Sequence, residues 1–169
     1  MKYEVVYLSK SGNTAALAQA IADMLPTEST RITDLAQSEA SGGADVNFIG
    51  FEVNSETIPL KIMDALDYAE GRIVILFGTC SVIPTQDHKA IIERKIQPFL
   101  PDDCDYRGIF LCAGQLPEHA AELIKNQHQM QPDNPELNSY LKNHYETIGH
   151  PDAQDIENLQ RFIQNILVL

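Results

Sequence analysis

The sequence predicts an α/β fold, a doubly wound five-stranded parallel sheet in the order 2-1-3-4-5 with helices on both faces. Short apolar runs alternate with helical patterns along the whole chain, which calls for βα units and a parallel sheet. The runs are continuously apolar rather than alternating, as strands buried on both faces are. Three of them end in turns, at residues 9–14, 50–56 and 78–81. In open α/β sheets the loops beyond the strand carboxyl ends bind ligands where the strand order reverses, so these turns are expected to converge.

Residues 2–8 read as the first strand, apolar from Val5 to Leu8. A helix follows over 13–25, with Leu17, Ile21, Met24 and Leu25 spaced three and four apart, and Pro26 ends it. A short strand is expected at 30–33, then a Ser/Gly-containing loop at 37–44. Residues 46–51 form the next apolar run. The helix after it starts near Pro59, which suits a first-turn position, and presents Leu60, Met63, Leu66 and Ala69 as its stripe. Residues 73–77 are the most hydrophobic run, too short for a helix and rich in β-branched side chains, hence a central strand.

The turn at 78–81 closes that strand. A helix over 85–97 turns Ile91, Ile92 and Ile96 inward, and the fifth strand covers 109–113, directly before Gly114. Residues 117–125 are helical, 130–135 a polar loop, and 136–145 a short helix with poorly separated faces. Asp152 caps the last helix, Asp155 sits in its first turn, and Ile156, Leu159, Ile163, Ile166 and Leu167 line one side. With 169 residues and 44% hydrophobic content, a single domain over 1–169 accounts for the chain.

A net charge of −12 repels nucleic acid and anionic membrane surfaces and favours basic protein partners. The start of the chain has no leader pattern and no stretch reaches the length of a membrane span, so a cytoplasmic setting is expected. Cys80, Cys104 and Cys112 make neither a Cys-x-x-Cys pair nor an even set. Cys80 and Cys112 fall at neighbouring strand ends, where they read as small buried hydrophobes, or as thiols placed to tune a bound group, form a disulfide or transfer electrons. The five histidines have no metal-ligand spacing and read as surface residues. Asp102, Asp103, Asp105, Asp152, Asp155 and Glu157 read as a solvated face or as a docking surface for a basic partner.

The stretch from Tyr7 to Thr14 organises the rest. Its turn joins a strand to a helix, whose first N–H groups lack partners and sit at the positive end of the helix dipole. Ser9, Ser11, Asn13 and Thr14 add polar side chains, Gly12 permits a sharp turn, and Lys10 adds charge or points to solvent. One cap residue suffices for a helix, so four point to an anion. Neither Gly-x-Gly-x-x-Gly nor Gly-x-x-x-x-Gly-Lys-Ser/Thr is present, which leaves a monophosphate as the best guest.

Ser9-Lys10-Ser11-Gly12-Asn13-Thr14 after an apolar strand resembles the phosphate loop of flavodoxins, Thr/Ser-x-Thr/Ser-Gly-Asn-Thr. Residues 45–51 resemble the third flavodoxin strand and 73–79 the fourth with its Gly-Thr end. Residues 110–114 and His150-Pro151-Asp152 are similar to a divergent flavodoxin-like group that includes a flavodoxin-like accessory protein of bilirubin reduction. The resemblance covers most of the chain except about 115–149. It implies FMN, with phosphate on Ser9, Lys10, Ser11, Gly12, Asn13 and Thr14, and the ring near Val53, Asn54, Gly78, Thr79 and Cys80. Flavodoxins commonly hold that ring between a Trp and a Tyr, whereas this chain has no Trp. The matching loops, 52–59 and 80–87, contain no Phe or Tyr, so FMN is expected to be weakly held unless Tyr140 or Tyr145 covers it. The function implied is electron transfer to a redox partner enzyme with a basic docking surface. Two alternatives stay open: an accessory subunit with little or no flavin, and a small FMN-dependent NAD(P)H oxidoreductase.

Overall fold

The computed structural model describes residues 1–53 and 58–167. Five strands, β1 (Tyr3–Leu8), β2 (Thr30–Asp34), β3 (Val46–Val53), β4 (Ile73–Cys80) and β5 (Asp105–Ala113), form one sheet in the order β2-β1-β3-β4-β5. All neighbouring pairs run parallel, as the alternation of elements requires. Helices α1 (Asn13–Met24) and α6 (Ala153–Leu167) cover one face, and α2 (Leu60–Asp67) and α3 (Gln86–Ile96) the other. Each face has its own core. Leu17, Ile21, Phe48, Phe77, Leu159 and Ile163 pack on the α1/α6 side, and Ile49, Ile62, Leu66, Leu76, Ile92 and Ile109 on the α2/α3 side. The strands therefore read as unbroken apolar runs because successive residues feed opposite cores.

Several expected boundaries move. β4 continues through the residues expected to turn, because Phe51, Glu52 and Val53 pair with Gly78, Thr79 and Cys80 and carry the ladder past Phe77. β3 likewise runs on to Val53. β5 begins at Asp105 rather than 109. Its first half is polar because it is an edge strand half open to water, and it shifts register between Val74 and Leu76, next to Gly108 at φ 120°. In α2 the inward residues are Ile62, Ala65 and Leu66, while Leu60 is 71% exposed; in α3, Ile91 faces out. The helix at 117–125 extends as α4 (Glu118–Met130), followed by α5 (Pro135–Thr147), where Asn134 accepts from the Glu136 and Leu137 N–H groups and Pro135 takes the first helical position.

α4 and α5 form a helical hairpin that packs chiefly on itself. Its two feet are joined: the Gln115 N–H donates to the His150 carbonyl at 2.8 Å, and the Gly149 N–H to Gln115 Oε1 at 2.8 Å. Among the described residues no helix is long and apolar enough to cross a membrane.

Candidate functional site

β1 ends at Leu8, paired with Phe51 of β3, so Ser9, just beyond the end of β1, comes beside Glu52, which is still within β3. The chain then turns through Gly12, which adopts φ 90° and opens α1. Such a backbone is nearly free for glycine and costs another residue roughly 1–2 kcal/mol. A Cβ here would meet nothing within 4 Å, so the requirement is purely conformational.

The turn holds an anion supplied by the chain itself. Glu52 Oε1 accepts from the Lys10 N–H at 3.0 Å, the Ser11 N–H at 2.7 Å, Ser11 Oγ at 2.5 Å and Ser9 Oγ at 3.3 Å. Four donors converge on one carboxylate oxygen, a concave arrangement of backbone N–H groups and hydroxyls suited to an anion. Ser9 and Ser11 also accept, from the Gly12 N–H at 3.1 Å and the Asn13 N–H at 3.2 Å, which fixes both hydroxyl oxygens.

Asn13 and Thr14 turn elsewhere. Asn13 Nδ2 donates to the Gln115 carbonyl at 2.8 Å, tying the start of α1 to the loop after β5. Thr14 is fully buried and shares a 2.9 Å hydrogen bond with Thr79 Oγ1 of β4; either hydroxyl can donate. This bond clamps the start of α1 to the carboxyl end of β4. Gly114 leaves room for it, since a Cβ there would lie 2.7 Å from Asn13 Nδ2 and 3.1 Å from Thr79 Cβ.

A cleft of about 430 Å³ extends from the turn along the carboxyl ends of β3, β4 and β5. That volume lies within the roughly 300–1,000 Å³ of small-molecule sites. Lys10, Ser11, Glu52 and Asn13 form one end, and Val53, Thr79, Cys80, Gly114 and Leu116 line the rest, with exposed His119 at the rim. Gly78 lies beneath, packed so closely that a Cβ would come 2.7 Å from the Phe51 carbonyl oxygen. Asn54 lies outside the described residues. Tyr140 and Tyr145 sit on α5 away from the cleft, both exposed, Tyr145 beneath the Lys125 ammonium. A larger hollow of about 530 Å³ lies between residues 35–40 and α2, away from the Ser9–Gly12 turn.

Burial pushes the Cys80 thiol up to about 12, so it stays a neutral thiol beside the cleft. Cys112 is also raised, by burial first and then by the Asp155 carboxylate. Thr79 pairs with Cys112 and Cys80 with Ala113, so the two thiols stand on opposite faces of the sheet and do not oppose each other. His144, expected on the surface, is 4% exposed between α4 and α5. His150, Asp152 and Asp155 bring possible metal ligands within 4.8 Å, but these atoms already serve the start of α6. Asp155 accepts from His150 at 2.6 Å and from the Asp152 N–H at 2.9 Å, and Asp152 accepts from the Asp155 N–H at 2.9 Å.

Sequence reasoning missed two carboxylates. Glu52 reads as the polar end of a strand, and only the β1/β3 register places it opposite Ser9. Glu4, 1% exposed within an apolar run, accepts from Thr33 Oγ1 at 2.8 Å and from Ser41 Oγ at 2.6 Å, and pins the loop before β3. A lone acid inside a buried strand is itself a signal that a fixed set of donors awaits it.

A family model described as the flavodoxin domain matches residues 4–164. The chain is 29% identical to a flavodoxin-like domain-containing protein BilS of Clostridioides difficile strain CD3, over 99% of this chain and 97% of that protein. It is 23% identical to another BilS, of Clostridium symbiosum strain WAL-14163, over 96% and 94%. Among solved structures, a flavodoxin of Streptococcus pneumoniae TIGR4 superposes with a TM-score of 0.60 at 16% identity, covering 99% of both chains.

Proposed function

The chain belongs to the flavodoxin domain family, and from that premise we propose that it binds FMN and carries electrons to a partner redox protein with a basic docking surface. The observation that carries this reading is the seated Glu52 carboxylate, which marks the Ser9–Gly12 turn as an anion receptor. The donor set fits a phosphate monoester, whose oxygens accept hydrogen bonds as a carboxylate does and carry more charge. Ser9, Lys10, Ser11 and Gly12 would hold the phosphate, and Val53, Thr79, Cys80, Gly114 and Leu116 would line the flavin ring.

When bound, the flavin supplies the electron chemistry, and the protein contributes binding, orientation and electrostatics. Thr14 and Thr79 keep the turn at a fixed height above the sheet, and Gly114 lets the loop after β5 close against it. Among the described residues that line the cleft there is no Phe, Tyr or Trp. Each missing aromatic pair forgoes about 0.5–1.5 kcal/mol of stacking, and the affinity is accordingly expected to be micromolar or weaker. The net charge of −12 opposes added electrons and lowers the flavin potential.

The test is a visible absorption titration of the purified protein. FMN produces a saturable change in the micromolar range, and riboflavin, lacking phosphate, binds more weakly. A spectrum unchanged up to about 1 mM FMN, equivalent to only about 4 kcal/mol, overturns the reading. A second reading, an accessory subunit that holds flavin loosely or not at all, is favoured by the same carboxylate, since the turn is satisfied without a ligand.

A further inference from the structure

Glu52 is held in the turn by the fold rather than by chance. It stands on β3 directly after the Leu8–Phe51 pair, one step from four donors, and its neighbour Val53 is still paired with Cys80. The strand thus presents the carboxylate to the turn at fixed height. A tethered ligand has an effective concentration of about millimolar or more and competes accordingly with a free one. The carboxylate and a phosphate cannot share the seat, because like charges at hydrogen-bonding distance repel strongly.

We propose that Glu52 is the selectivity-determining residue of the loop, an internal anion that an incoming phosphate monoester must displace. The flavin reading enters only in naming FMN as the bearer of that phosphate. The seat is available for the fraction of time that Glu52 is swung out, and the apparent affinity for phosphate falls by that fraction. Glu52 is half-buried, so water can receive the displaced carboxylate. The part of the cleft lined by Thr79, Cys80, Gly114 and Leu116 makes none of the hydrogen bonds that seat the carboxylate. Displacement therefore burdens phosphorylated ligands and spares phosphate-free ones, which narrows the preference for FMN over riboflavin.

The experiment titrates inorganic phosphate into wild type, Glu52→Gln and Glu52→Ala, read at the Lys10 and Ser11 backbone amides by NMR. Phosphate binds Glu52→Ala at least tenfold more tightly than wild type, with Glu52→Gln between them because it keeps an acceptor without charge. Phosphate affinity that is equal across the three, or weaker in the variants, overturns the proposal. Parallel titrations with FMN and riboflavin separate this from the flavin reading. FMN tightening tenfold in Glu52→Ala while riboflavin stays constant supports both. Equal FMN affinity in all three overturns the role of Glu52 and leaves the flavin reading intact. A phosphate gain with no FMN binding to any of the three upholds Glu52 and removes the flavin.

Discussion

Thr14 shows how a residue can belong to a motif and yet serve the scaffold. Its hydroxyl is spent on Thr79, in a site where neither reaches water. Removing one hydroxyl strands the other, at a cost of about 1–3 kcal/mol, whereas removing both leaves nothing unpaired. Thr14→Val and Thr79→Val should each destabilise by that amount, and the double variant by clearly less than the sum, as urea unfolding would show. Strict additivity would mean that the bond contributes nothing. The motif was legible because Ser, Gly, Asn and Thr in that order crowd one helix start. Its partners were not, because Glu52 and Thr79 stand 43 and 65 residues from Ser9 and Thr14. The β1/β3 register brings the first pair together and the packing of α1 on the sheet the second.

Elements were legible where one rule governs them. α6 begins where Asp152 and Asp155 cap each other and ends as an apolar stripe, and both features stand in the sequence. The Asp155 N–H holds the Asp152 carboxyl below its ordinary range, and His150 pulls the same way. A carboxyl depressed in the folded state stabilises above its unfolded pKa, about 3.9, and that contribution fades as pH falls through the lower folded value. Wild type should therefore melt above Asp152→Ala at pH 6, with the gap closing as pH drops from about 5 toward 2. A gap independent of pH would remove the charged cap from the account. The ends of β3 and β4 were less legible. Gly78 and Thr79 resemble a turn, but each strand is prolonged by the neighbour that pairs with it, and Leu60 and Ile91 show that a helical stripe can be read one residue out of phase.

For the molecule as a whole, the alternation of elements made the parallel, doubly wound sheet legible, while the order β2-β1-β3-β4-β5 rested on the likeness of the Ser9–Thr14 turn to a flavodoxin phosphate loop, because alternation alone also fits other doubly wound orders. The net charge acts at the same scale. If the proposed basic partner docks through long-range attraction, electron-transfer rates should be fastest at low ionic strength and fall as salt passes about 0.1 M, where the Debye length is near 10 Å. Stopped-flow rates indifferent to salt would discard electrostatic docking. The α4–α5 hairpin has a consequence of another kind. The chain leaves the sheet at Gln115 and returns at Gly149 and His150, and these points are bonded to each other, so the segment between them is a closed parenthesis. Whatever length stands inside it, the sheet outside sees the same two ends at the same separation. Insertions and deletions between α4 and α5 are therefore expected to leave the sheet intact, so that a recognition element could be added or rewritten there without renegotiating the core.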